Sequence, residues 1–223
     1  MNHRLSVLQP SFTRRSLAAA LVAAPALWLT PRGFAQAQAA GQAANRVRRL
    51  TPSQMEGPYY PVAIPKDSDF DLLKNGNLNY GKGQAAWVQG VVTDLDGKPV
   101  SGAQVEIWQA DADGHYDHPR DGSKNDPAFQ AFGKVVVGAD GAYRFRTIKP
   151  VPYTGRTPHI HFKVKLGGQE LLTTQLYVEG DPGNARDFLW RSLRNEDDRA
   201  ALTVPFALTT DGLAAQFPIV VRA

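Results

Sequence analysis

The chain has 223 residues, a formal net charge of +4 and no cysteine. That length suits one sizeable domain or two small ones, and 43% hydrophobic with 21% charged residues describes a globular chain, not a disordered one. Without cysteine there is no disulfide framework, zinc ribbon, thiolate nucleophile or iron–sulfur cluster.

The positive charge has a local source. Arg4, Arg14, Arg15 and Arg32 all fall within the first 40 residues, which hold no acid, and the rest of the chain is balanced. A nucleic-acid partner therefore finds no basic footprint in the body of the protein. Thr13-Arg14-Arg15-Ser16-Leu17 precedes an apolar run from Leu17 to Leu29. Such a run is short for a membrane span and suits a signal-peptide core. Ala35-Gln36-Ala37 and Ala37-Gln38-Ala39 are small-x-small cleavage candidates. The paired arginines resemble a twin-arginine export signal, a route that carries folded proteins and so suits a chain loaded with a cofactor before it leaves. A Sec signal or an uncleaved anchor is the alternative. Residues 1–39 are read as this signal, which implies a periplasmic or secreted protein with no membrane anchor after cleavage.

Residues 40–85 are rich in Pro, Gly, Asn and Asp and carry little periodicity, which predicts an extended arm with turns. Arg46, Arg48 and Arg49 read as a solvated part of it. From Trp87 the texture changes. Short apolar or alternating runs recur at 86–93, 103–109, 131–137, 142–148, 159–166, 170–178 and 215–222, bounded by Gly, Asp and Pro. Asp94-Leu-Asp-Gly97 and Asp140-Gly141 are tight-turn signals between them. This predicts an all-β fold, an antiparallel β-sandwich over 86–223 with long loops and one short helix at Asn184–Leu193. Asn195–Arg199 reads as a solvated helix end or loop.

Past the signal, the histidines are His115, His118, His159 and His161. On a strand, residues i and i+2 point to one face, so His159 and His161 would project side by side with Ile160 and Phe162 opposite. Two neutral imidazoles make a natural pair of metal ligands; two hydrogen-bonded histidines on a half-exposed strand are the alternative. No acid lies near the pair. What lies nearby is Tyr153, on a proline-stiffened loop, and Tyr116 sits in the other histidine cluster. A strong Lewis acid can hold tyrosine as tyrosinate at neutral pH, and two phenolates favour the higher charge state. Two histidines with two tyrosines therefore point to non-haem Fe(III), with copper or zinc at the histidine pair as the competing reading. Tyr143, Phe145 and Tyr177 alternate with polar residues and read as core. His118, in a turn-like stretch before Pro119, reads as exposed.

At these residues the sequence resembles the intradiol ring-cleavage dioxygenases. The matching pieces are Glu56-Gly-Pro-Tyr-Tyr-Pro61, Val100-Ser-Gly-Ala-Gln-Val-Glu-Ile-Trp-Gln-Ala110, Asp113-Gly-His-Tyr116, Asp140-Gly-Ala-Tyr-Arg-Phe145, Thr147-Ile-Lys-Pro150, Tyr153-Thr-Gly-Arg-Thr-Pro-His-Ile-His-Phe162 and Thr174-Gln-Leu-Tyr-Val-Glu-Gly-Asp181. The resemblance implies a prealbumin-like sandwich that holds Fe(III) through Tyr116, Tyr153, His159 and His161. It implies Tyr153, Arg156 and Gln175 as catalytic residues, and Tyr59, Tyr60 and Arg156 as substrate-binding ones. His115 and His118 then flank Tyr116 without binding the metal, and Trp108 and Gln109 are packing. The implied partners are a catechol-type small molecule and O2, with a homo-oligomer left open. The implied product is a cis,cis-muconate. One departure stands out: between Tyr153 and His159 better-known members carry several more residues and a bulky aromatic, where this chain has Thr154-Gly155. The segment Asp94–Trp108 also resembles transthyretin-like sandwiches, so a non-catalytic binding module is the competing function. The export reading is tested by replacing Arg14 and Arg15 with lysine, which is expected to leave the protein inside the cell. Normal export of that variant, followed by fractionation, would point to the Sec route.

Overall fold

The computed structural model describes residues 48–223. The export signal read at 1–39, the start of the arm and Arg46 lie outside the described residues. The elements in order are β1 (Lys74–Asn75), β2 (Leu78–Asn79), β3 (Ala85–Thr93), β4 (Gln104–Trp108), β5 (Phe132–Val136), β6 (Ala142–Ile148), β7 (His159–Leu166) and β8 (Gln169–Val178). Then come α1 (Phe188–Ser192), α2 (Glu196–Leu202), β9 (Thr203–Val204), β10 (Ala207–Thr209), β11 (Gly212–Gln216) and β12 (Ile219–Val220). No helix among the described residues is long and apolar enough to cross a membrane.

Two sheets face each other across one core. In the first, β3 pairs with β6 along one edge and with β11 and β12 along the other, and β10 extends it beyond β11. The second has the order β5-β4-β7-β8-β9. Val88, Val92 and Phe145 from the first sheet meet Val105, Ile107, Ile160, Phe162, Val164 and Leu176 from the second. Phe162 lies 4.9 Å from Phe217 and 6.0 Å from Tyr143, ring centroid to ring centroid, and knits the sheets together. Tyr143, Phe145 and Tyr177 are buried, as their alternation predicts.

The all-β sandwich expected from the turn spacing is present, with three differences. The pairings β3–β11, β3–β12 and β8–β9 are parallel, because the tail of the chain returns along strands already in place. The run at 215–222 is broken at Phe217-Pro218 into two strands, since proline cannot donate to the ladder. The region read as one helix with a solvated end holds two helices. Asp187 is extended (φ −72°, ψ 125°) and caps α1, so Asn184–Arg186 forms a separate single turn. Asn195 accepts from the Asp198 amide, and Glu196, Asp197 and Asp198 favour the positive end of α2.

Strand β7 explains how the site is made. Its eight residues alternate in chemistry, yet six of them are fully buried. Ile160, Phe162 and Val164 face the core; His159, His161 and Lys163 face the opposite way and are covered by the arm. The Gln54 amide donates to the Thr173 carbonyl at 2.9 Å, and the Gln175 side-chain amide donates to the Met55 carbonyl at 3.1 Å. Gly57, at φ +78°, lets the arm pass His161; a Cβ there would stand 3.5 Å from its Cε1. Over the far half of β7 the arm is held by charge. Lys163 pairs with Glu56 and, at 3.2 Å, with Glu170. Glu106, 1% exposed, accepts from Lys165 at 2.9 Å and from the Tyr60 hydroxyl at 2.8 Å.

Removing Glu106 would leave Lys165 and Tyr60 without their shared acceptor. Glu106→Ala is therefore expected to cost about 3 kcal/mol in urea unfolding, the low end for breaking a buried pair, because Lys165 keeps some contact with water. A loss under about 0.5 kcal/mol, the size of an ordinary surface substitution, would show that the arm does not depend on this pair.

Candidate metal centre

His159 and His161 come from one face of β7, as the i, i+2 spacing predicts, and each is 2% exposed. The half-exposed strand is thus not what the chain builds. Tyr116 reaches the pair from the loop after β4, where Asp111, wholly buried, ties the turn together. Its Oδ1 accepts from the Asp113 and His115 amides at 3.0 Å each, and its Oδ2 accepts from the Asp126 amide at 2.7 Å. Tyr153 comes from the turn before β7, which closes as the Arg156 amide donates to the Tyr153 carbonyl at 2.9 Å. The two tyrosine loops touch at Gly114, at φ +82°, where a Cβ would stand 3.1 Å from the Pro152 carbonyl oxygen.

Three donor atoms converge. His159 Nε2 lies 3.2 Å from His161 Nε2, and the Tyr116 hydroxyl lies 3.3 Å from the first and 3.1 Å from the second. His159 Nδ1 lies 2.7 Å from the Thr157 carbonyl, which accepts its proton and leaves Nε2 as a bare lone pair. His161 Nδ1 is buried with no hydrogen-bond partner, and its ring stacks on Trp108 at 4.7 Å. The cluster therefore has more lone pairs than protons, in a place where water cannot make up the difference. Burial first, then the neighbouring Arg156 charge, pushes His159 down to about 3, and burial likewise pushes His161 well below its ordinary value. Both rings are neutral, the form that binds metal. Burial pushes the Tyr116 phenol well up, so a phenolate here needs a nearby cation. A spacing of just over 3 Å is close enough for the three donors to share one ion, since ligand nitrogens and oxygens stand about 2.1 Å from such an ion. Among the described residues no three His, Cys, Asp or Glu side chains converge to hold a metal, so an ion at this point relies on the phenols.

Tyr153 completes one side. Its ring centroid lies 5.4 Å from that of Tyr116 and 5.5 Å from that of His159, and it is half-buried. Arg156 sits behind it, its Nε donating to Asp187 at 2.7 Å and its Nη2 to Gln175 Oε1 at 2.7 Å, with Nη1 3.5 Å from His159 Nε2. The Tyr177 hydroxyl, which donates to Gln54 at 2.7 Å, closes this network. Tyr59 and Tyr60, adjacent in sequence, part company. Tyr59 stacks on Tyr116 at 4.6 Å and meets Tyr153 at 5.8 Å. Tyr60 is not brought to the cluster: its hydroxyl is engaged by Glu106 and Lys165, and Lys163 lies over its ring. His118 is buried, contrary to the turn-based expectation, because its Nδ1 accepts from the Arg120 amide and Tyr59 covers it. His115 lies 3.5 Å from Asp121.

Gly155, in the short loop, has no atom within 4 Å of its Cβ direction. A cavity of about 390 Å³ opens beside it, lined by Gly155, Arg156, Thr157, Arg186 and Asp187 among others. Sequence reasoning missed Asp187 and Asp111, while Trp108, read as packing, packs on His161. The one available signal for Asp187 was its place as a helix-capping acid before Phe188-Leu189-Trp190.

A dioxygenase family model matches residues 55–222. The chain is similar to the hydroxyquinol 1,2-dioxygenase of Nocardioides simplex, 35% identical over 61% of this chain and 50% of that protein. It is also similar to the protocatechuate 3,4-dioxygenase beta chain of Burkholderia cepacia, 36% identical over 76% of this chain and 79% of that one. The chain spans about half the length of the first of these relatives. Among solved structures it is similar to the dioxygenase domain of a dioxygenase carbohydrate-binding protein fusion from Streptomyces sp. SirexAA-E. There the TM-score is 0.62 and the identity 34%, covering 78% of this chain and 99% of that one.

The neutral histidines have a consequence for the metal-free protein. Folding lowers their proton affinity, so between about pH 6.5 and pH 3 the unfolded chain binds more protons than the folded one. The stability they allow is present above about pH 6.5 and is lost as pH falls through that window. The urea midpoint of metal-free protein is expected to drop between about pH 7.5 and about pH 5, with a shallower drop in His161→Gln. A midpoint that holds level or rises over that range would contradict the burial of neutral rings.

Proposed function

The chain belongs to the intradiol ring-cleavage dioxygenases, and on that premise we propose that it is a non-haem Fe(III) enzyme. It opens a catechol-type ring between the two hydroxyls with O2 and releases a cis,cis-muconate. The observation that carries this reading is the buried convergence of Tyr116, His159 and His161 with too few protons between them.

Tyr116, Tyr153, His159 and His161 would hold the iron. When bound, it supplies a strong Lewis acid that makes phenolates accessible at neutral pH and draws electron density from a chelating diol, opening the ring to O2. The remaining work falls to side chains. Tyr153, half-buried at the edge of the cluster, takes a proton from a catechol hydroxyl onto its Oη. Arg156 presents Nη1 toward the cluster and stabilises negative charge as it develops on the ring, a donor fixed before the reaction begins. Gln175 holds Arg156 through its Oε1 and the arm through its amide. Tyr59, stacked on Tyr116, walls the cluster from bulk water. A binding module of transthyretin type gives no account of this buried set, and a pair of phenols suits a hard trivalent ion better than copper or zinc.

The test is oxygen uptake by iron-loaded protein on catechol, protocatechuate and hydroxyquinol, with product identification. Uptake with an intradiol muconate is expected on at least one of them; an extradiol semialdehyde, or no uptake, contradicts the proposal. Tyr153→Phe is expected to keep its iron and lose about 100-fold in kcat, the scale of a positioned base. His159→Ala is expected to lose the iron itself. Full iron and activity in that variant would contradict the ligand set.

A further inference from the structure

We infer that Asp187 is a positioning residue for this reaction, a buried carboxylate that aims the Arg156 guanidinium and anchors Thr157, the residue whose carbonyl orients His159. The inference rests on the proposed function. The Asp187 side chain is wholly buried and that of Arg156 is 7% exposed. Oδ2 accepts from Arg156 Nε at 2.7 Å and from the Thr157 amide at 3.0 Å. Oδ1 accepts from the Leu189 and Trp190 amides, both at 2.9 Å. With two donors on each oxygen, the carboxylate has no freedom to rotate.

The consequences run in two directions. Gripping Arg156 at Nε, the root of the planar fork, fixes where both ends point. Nη2 meets Gln175 Oε1, and Nη1 is left facing His159 Nε2 at 3.5 Å, too long for a strong hydrogen bond and directed at the cluster. Gripping the Thr157 amide anchors the residue whose own carbonyl, in the next peptide, accepts the His159 Nδ1 proton. The Thr157 hydroxyl is meanwhile anchored to Asn184 Oδ1 at 2.8 Å, on the turn that leads into Asp187. One acid, thirty-one residues from the arginine in sequence, thus sets the direction of a charge and the tautomer of a ring without touching either substrate or metal.

The separating variant is Asp187→Asn in the full chain. Asparagine caps a helix as well as aspartate, so α1 keeps its Oδ1 partner. The new amide group, however, would meet Arg156 Nε–H and the Thr157 amide donor to donor. Iron content equal to wild type is expected, with kcat/KM lowered by about 100-fold and the affinity for 4-nitrocatechol, measured without oxygen, lowered by about tenfold. Because the arm through Arg156 is shared and only the arm through Thr157 remains, the double variant with Arg156→Lys should fall no more than about tenfold below Arg156→Lys alone, short of the about 100-fold that independent sites would give. If Asp187→Asn does not accumulate, Asp187→Ser, which also caps a helix but leaves space instead of a clash, is expected to give the same pattern. Wild-type kinetics and affinity in either variant, or losses that multiply in the double variant, would overturn the inference. A wild-type protein inactive on every catechol would instead overturn the proposed function.

Discussion

Burying the polar face of β7 is the constraint on which the rest of the molecule depends. Strand geometry puts His159, His161, Lys163 and Lys165 on one side and Ile160, Phe162 and Val164 on the other. The apolar side is answered by the core. The polar side is roofed by the arm, and every group beneath that roof must find a partner without water. For the lysines the chain supplies counter-charges, Glu56, Glu106 and Glu170. For the histidines it supplies a phenol and a second histidine, which add lone pairs to lone pairs. One half of the face is closed by the protein alone; the other half is left with lone pairs that the proposed ferric ion would answer.

The same division explains the neighbours. Residues over the lysine half are structural: Tyr60 is bound to Glu106 and Lys165, and its ring lies under Lys163. Residues over the histidine half are directed at the cluster: Tyr59 on Tyr116, Trp108 on His161, Arg156 beside His159. Rigidity there comes from buried acids that never face the cluster. Asp111 organises the Tyr116 loop, and Asp187 is held below its ordinary range despite burial, by the Arg156 guanidinium and by backbone amides. The phenols are pushed up by burial and the imidazoles down, which leaves every donor neutral until charge arrives.

Much of this could be read from residue order, and what could not has a physical reason. The period-two pattern of His159-Ile-His-Phe162 placed both rings on one face, and turn spacing gave the sandwich. Tyr116 and Tyr153 stood out because histidine and tyrosine are the donors left when cysteine is absent and acids are remote. The burial of that face was not legible, because it depends on an arm more than a hundred residues upstream whose sequence has no period of its own. Asp187 was hidden for a similar reason: its capping role is local, while its grip on Arg156 is a contact made only by the folded loop. Tyr59 and Tyr60 could not be told apart because they sit together in a turn that starts at Pro58, and only the folded turn decides which one meets the cluster.

Phenolates and imidazoles of this cluster are proposed to hold a ferric ion. Resonance Raman spectroscopy on the as-purified protein, excited within its visible absorption, tests this most directly. Ligation of iron by Tyr116 requires enhanced tyrosinate ring vibrations that weaken in Tyr116→Phe while the iron stays bound. An iron-containing protein whose spectrum shows no tyrosinate modes, or whose modes are unchanged in that variant, would contradict it.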